Sequence, residues 1–265
     1  MKLRASTVLF ATLLSACAVA DDEDLSWEMF NLMIYQEPDT GYWVVNGDEL
    51  VETPEALRAF YDDLIARSGD IVSSQAPLIV NQVKNRDDRW SDSAAQNLTY
   101  CVSSSSFGSR YSTVVNAMNN ATGAWENVAN VNFVHLSSED ANCSGQNRNV
   151  VFNVRQVSGQ AYLARAFFPS SSRRAREVLI DSSSFGNISP WSLTGILRHE
   201  LGHTLGFRHE HTRPESGVCF EDNKWRALTP YDSASVMHYP QCNGTNNGDL
   251  NLTSRDSQGA GLLYP

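Results

Sequence analysis

Three scarcities narrow the possibilities before any motif is considered. After its first twenty residues the chain has no apolar run near the roughly 20 residues needed to cross a bilayer, so the sequence predicts no spanning helix. Basic residues are few. Twenty Lys and Arg stand against thirty Asp and Glu, a formal charge of −10. Such a surface repels phosphate backbones, which argues against a nucleic-acid partner. Cysteine is absent from residues 21–100 and histidine from residues 21–88, so the early chain offers neither a thiolate nor an imidazole to a metal. There is no internal repeat and no long low-complexity tract. What is present suits one packed domain with a short extra segment: 265 residues, 42% of them hydrophobic.

The first twenty residues read as an export signal. Lys2 and Arg4 supply the positive start, Val8 to Leu14 the apolar stretch, and small residues come after it. Two cleavage readings stand side by side. Leu14-Ser15-Ala16-Cys17 has the form of a bacterial lipobox, with Cys17 as the lipidated first residue. Ala18-Val19-Ala20 has the form of an ordinary A-x-A site before Asp21. Either way the protein is exported, anchored by lipid at the bacterial cell envelope or secreted, and any membrane contact is through that N-terminal lipid. Cys101, Cys143, Cys219 and Cys242 remain. An even count in an exported chain points to two disulfides among three possible connectivities. Cys101–Cys143 with Cys219–Cys242 is favoured, each pair closing a loop on its own side of a histidine cluster.

Residues 21–88 differ from the rest of the chain. They open on the acidic run Asp21-Asp22-Glu23-Asp24 and include a strand over Tyr42–Val45. Thr53-Pro54-Glu55 then starts a helix running to about Ala66. Asn85 to Arg89 is polar and charged, a candidate processing site. The stretch reads as a propeptide or as a permanent N-terminal segment. From residue 89 to 265 the pattern is mixed. Strands are expected at Leu98–Val102, Val131–Leu136, Val150–Val154, Ala161–Phe168 and Glu177–Ile180. A helix is expected over Ser112–Val128, where Val114, Ala117, Met118, Ala121 and Trp125 recur at helical spacing. A second helix is expected to begin at Ser189-Pro190.

That second helix carries the chemistry. His199 and His203 lie four residues apart, on one helical face, and can share a metal. Glu200 sits beside the first and can reach a metal-bound water. Gly206 can adopt a positive φ and stop the helix, letting His209 return as a third ligand. Four of the six histidines fall between residues 199 and 211, so chance is a poor explanation. Three imidazoles leave one position open, which marks a catalytic zinc site with one ion.

The string His199-Glu200-Leu201-Gly202-His203-Thr204-Leu205-Gly206-Phe207-Arg208-His209 resembles the signature of the metzincin zinc endopeptidases. Ser235-Val236-Met237-His238-Tyr239 resembles their methionine turn, and Glu210 after the third histidine resembles the astacin form. The whole is most similar to bacterial metzincins named for a His-Glu-Ile-Gly-His motif, with Leu201 in place of Ile. The resemblance implies an α+β, two-lobed catalytic domain with a twisted mixed sheet, an active-site helix and a Met-turn. It implies that Met237 packs under the metal and that Tyr239 is an extra ligand and catalytic residue beside Glu200. It further implies a monomer that binds a peptide or protein substrate along an edge strand, for which Ala161–Phe168 is the candidate. Asn46-Gly47-Asp48 resembles the Phe-x-Gly-Asp motif of astacin propeptides, with Val45 in place of Phe, making Asp48 a latency ligand; the same residues also suit a plain turn. The competing class is a catalytically inactive zinc-binding surface or adhesion protein, which would have no use for Glu200.

The lipobox reading has a direct check. Mass spectrometry of the mature N-terminus should find Cys17 carrying two or three acyl chains, enough for stable anchoring; a free Asp21 would establish ordinary secretion.

Overall fold

The computed structural model describes residues 25–66 and 78–265, so Cys17 and both cleavage sites lie outside the described residues. The architecture is α+β. Helix α1 (Trp27–Met33) precedes strands β1 (Tyr35–Gln36), β2 (Trp43–Val45) and β3 (Glu49–Val51), which pair as an antiparallel sheet, and helix α2 (Pro54–Ala66) closes the segment. Thr53 caps α2 by accepting from Ala56 N at 3.1 Å, and Pro54 occupies the first turn, where no amide partner is needed. Phe30, Val45, Leu57 and Tyr61 form a small core of their own.

The main body begins with β4 (Ile79–Val83) and β5 (Arg86–Asp87), followed by α3 (Asp92–Ala95), β6 (Leu98–Val102), α4 (Ser104–Phe107) and α5 (Tyr111–Glu126). Then come β7 (Phe133–His135), β8 (Phe152–Val157), β9 (Ala164–Arg165), β10 (Glu177–Asp181), α6 (Leu193–Thr204), β11 (Trp225–Ala227) and α7 (Ser254–Leu263). Five strands make the central sheet in the order β7-β6-β8-β10-β9. All neighbours are parallel except β9, which runs antiparallel to β10 at the edge. Of the strand expected over Ala161–Phe168, only Ala164 and Arg165 pair.

Alternation along the strands sends Tyr100, Val102, Phe152, Val154, Val178 and Ile180 into one core with the buried face of α5 and with α6. Trp125 locks the two helices. It is fully buried, its indole N–H donates to Arg198 O at 2.9 Å, and its ring stacks on Phe207 at 5.2 Å. The opposite face of the sheet carries Leu179, covered by Val44, Tyr162 and Tyr35. The N-terminal segment is therefore the second layer over that face.

The boundary expected at residue 88 falls just after β5, in a sheet that the main body shares. β4 pairs with β11, Val80 bridges to Phe207, Asn81 N donates to Gly206 O at 2.8 Å, and Leu78 and Val80 lie in the main core. The charged run Asn85–Arg89, the candidate processing site, belongs to a hairpin: Lys84 and Asn85 take positive φ at the turn, and Asp88 is buried as acceptor for Asn81 and Ser170. The active helix also starts later than Ser189-Pro190. Ser192 is its cap, accepting from Gly195 N at 3.0 Å.

Trp125→Ala should cost about 3–5 kcal/mol, the range for deleting a fully packed aromatic side chain, in equilibrium denaturation. A loss under about 1 kcal/mol would show that the α5–α6 contact does not rest on this indole.

Candidate metal centre

α6 presents His199, Glu200 and His203 on its buried side. The helix stops at Leu205, and Gly206 turns with φ +99°, where an added Cβ would lie 2.1 Å from Asp88 O. The turn brings His209 back so that its ring centroid is 5.2 Å from His199 and 4.8 Å from His203. Each ring is held from behind. Nδ1 of His199 donates to Val236 O at 2.7 Å, Nδ1 of His203 to Phe207 O at 2.8 Å, and Nδ1 of His209 to Glu221 Oε1 at 2.7 Å. These acceptors cannot donate, so the Nδ1 proton is fixed and each Nε2 lone pair is left for the shared centre.

Asp48 meets those three nitrogens. Its Oδ2 is 3.2 Å from His199 Nε2, and its Oδ1 is 3.5 Å from His203 Nε2 and 3.1 Å from His209 Nε2. Gly47 permits the approach: at φ +101°, an added Cβ would sit 3.0 Å from the Tyr239 hydroxyl. Tyr239 donates that hydroxyl to Asp48 Oδ2 and stacks on His199. Burial works against the Asp48 charge, but His209 and His203 hold its carboxyl well below the usual carboxylate range. Glu200 faces the same cleft with Oε2 lacking a hydrogen-bond partner. Burial and then the Asp48 charge push its pKa well above the usual range. Met237 lies beneath, fully buried, its sulfur 2.4 Å from where a Cβ on Gly202 would be.

The donor set fits a zinc ion. Asp48, His199, His203 and His209 each offer one atom, all within 4.8 Å of one another and all buried. His203 Nε2 and Asp48 Oδ1 are buried without hydrogen-bond partners, as expected of atoms whose partner is a metal.

Sequence reasoning missed the layer behind His209. Glu221 also bonds Arg208 Nη2 at 2.9 Å and lies 3.3 Å from His211 Nε2. Asp222 grips Arg208 Nη1 with both oxygens at 2.7 Å, and Glu49 reaches Nη2 at 3.3 Å. His211 is buried and accepts at Nδ1 from Tyr239 N at 3.2 Å. The only available signal was the position of Glu221 two residues after Cys219. Cys219–Cys242 and Cys101–Cys143 are both disulfide-bonded, and the former ties the Glu221 loop to the chain just past Tyr239.

A helix-borne His pair, a third His after a glycine turn and a buried methionine beside them are the features by which the sequence resembles the metzincins. The family model for Matrixin (peptidase M10) matches residues 89–218. Zinc metalloproteinase nas-30 of Caenorhabditis elegans is 33% identical over 89 residues, 26% of this chain and 12% of that protein. High choriolytic enzyme 1 of Oryzias latipes is 40% identical over 62 residues, 17% of this chain and 23% of that one. Among solved structures, myroilysin aligns at a TM-score of 0.48 and 17% identity, over 71% of this chain and 98% of its own. Over these stretches the chain is similar to matrixins and to zinc metalloproteinases, and its donor set marks zinc as the cofactor. The matches span less than a quarter of the length of these two curated relatives.

With His209 as a ligand, Glu221→Gln should weaken zinc binding about tenfold to a hundredfold, the usual cost of losing a ligand's supporting carboxylate, in competition with a chromophoric chelator. Unchanged zinc affinity would show that this hydrogen bond does not orient the ring.

Proposed function

We propose that this protein is an exported zinc endopeptidase, made latent by its own N-terminal segment and acting as a monomer on peptide or protein substrates. The observation that carries the reading is the meeting of the Asp48 carboxylate with three ligand nitrogens in the cleft that also holds Glu200. His199, His203 and His209 would hold the ion. The name of nas-30 states a zinc metalloproteinase, in keeping with this activity. Of the segment expected over residues 21–88, the described part ahead of β4 is residues 25–66. Attachment by a lipid on Cys17 is the anchoring mode we favour.

A zinc ion held by His199, His203 and His209 would supply Lewis-acid polarisation and activate the attacking water. Glu200 takes the proton from the attacking water and passes it to the leaving amine. Tyr239 donates its hydroxyl to the oxyanion that develops on the scissile carbonyl. Asp48 occupies this hydroxyl in the precursor, so one carboxylate blocks both the metal face and the oxyanion donor. The β9 edge offers unpaired backbone groups to an extended substrate. A non-catalytic zinc-binding protein would not bury a carboxylate such as Glu200 beside the ligands.

A casein zymogram should lose its band with a chelator and regain it with zinc. Glu200→Gln should retain zinc and lose turnover by about a hundredfold to ten-thousandfold; near-normal turnover would sink the mechanism. Asp48→Ala should yield a precursor that cleaves peptides before any processing. A silent Asp48→Ala precursor that becomes active once residues 25–66 are cut away would assign latency to bulk occlusion instead.

A further inference from the structure

Eleven residues before Asp48, a second carboxylate of the same segment is held by the body. Arg165 is fully buried and grips Glu37 with both oxygens, Nε to Oε1 at 2.7 Å and Nη2 to Oε2 at 2.9 Å. Tyr162 donates its hydroxyl to Oε1 at 2.6 Å. From its own segment the Glu37 carboxylate accepts the Thr40 hydroxyl, at 2.6 Å. The fork-on-fork geometry with a third donor is that of a built carboxylate site.

The site adjoins the cleft. Ala161, Tyr162, Leu163 and Ala164 line the same cleft as His199 and Glu200, and Arg165 is the next residue along that edge strand. Once residues 25–66 depart, Arg165 keeps one bond, Nη1 to Glu177 O at 3.2 Å. Its Nε, its Nη2 and the Tyr162 hydroxyl lose their acceptor together. Glu177 cannot turn to replace it, because its side chain already accepts from Asn153 and Arg155 at 2.6 Å each.

Charge points the same way. Residues 25–66 carry nine acidic side chains and one arginine, whereas residues 78–265 carry sixteen of each sign. The body touches the segment through its acids: Glu37 on Arg165, Glu49 on Arg208, Glu52 on Ser172 and Asp63 on Lys224. The surface that the segment covers is thus complementary to an acidic chain.

Resting on the latent-protease reading above, we propose that Arg165 and Tyr162 form a specificity site that binds an aspartate or glutamate side chain of the substrate, with Glu37 as the occupant it displaces. The enzyme then selects extended substrates bearing an acidic residue at one fixed distance from the scissile bond.

The test begins with full-length Glu200→Gln protein, folded with zinc and then cut after residue 66. Fluorescent peptides with Glu or Gln at each position in turn are titrated onto it. One position should show tighter binding with Glu by about tenfold or more, the value of a charge-assisted bidentate contact. Tyr162→Phe, which removes only a hydroxyl, should narrow that ratio several-fold. Arg165→Lys, which cannot form the fork, should narrow it further. The same position should govern kcat/KM in the processed wild-type enzyme. Equal binding of Glu and Gln peptides at every position overturns the site, as does a cut segment that never leaves it. Selective binding without any cleavage by the wild-type protein upholds the site and removes the protease reading instead.

Discussion

The meeting of the Asp48 carboxylate with three imidazoles constrains everything around it. Three neutral rings can share one centre only if each is prevented from turning its N–H inward. The protein arranges this by giving every Nδ1 an acceptor: two main-chain carbonyls and one carboxylate, Glu221. The carbonyl acceptors come with the helix and the Met-turn. The carboxylate comes with a charge, and that charge is balanced in turn. Glu221 is paired with Arg208, and Arg208 is shared with Asp222 and Glu49. A buried chain of this kind contributes little net stability, because desolvation offsets most of the attraction; what it supplies is a single orientation of His209.

Seen from the segment, the same site is a substitution. Asp48 lies where a metal and its water would carry out chemistry, and it also ties up the Tyr239 hydroxyl. Its neighbours reinforce the arrangement at separate points: Gly47 lets the backbone come close, Glu49 joins the Arg208 cluster, and Glu37 fills the Arg165 fork. The small core of α1, the hairpin strands and α2 holds these carboxylates in register. On the reading proposed above, occlusion and specificity draw on one surface, since a carboxylate site that accepts the segment is open to other carboxylates once the segment leaves.

Much of this was legible in the sequence because it is local. The three-histidine string is spaced by helix geometry and one glycine turn, so its chemistry follows from the chain itself. The same holds for the α5 face, where Val114, Ala117, Met118, Ala121 and Trp125 repeat at the helical period, and for the cap and first-turn proline of α2. What could not be read was set by contacts between distant segments. The sequence marked Asn85–Arg89 only as polar and charged, whereas in the fold β4 pairs with β11 and Asp88 is buried. Ser189-Pro190 was a sound helix start by composition, but Ser192 is the residue whose side chain reaches an amide. Glu221 and the Glu37–Arg165 pair carry no motif, because a buried charge declares itself only through its partner, which for Arg165 lies 128 residues away. The sequence by itself determined the metal chemistry and the helices that bear it. Tertiary structure alone decided which acids meet which cations, because pairing across the fold depends on how the layers stack and not on spacing along the chain.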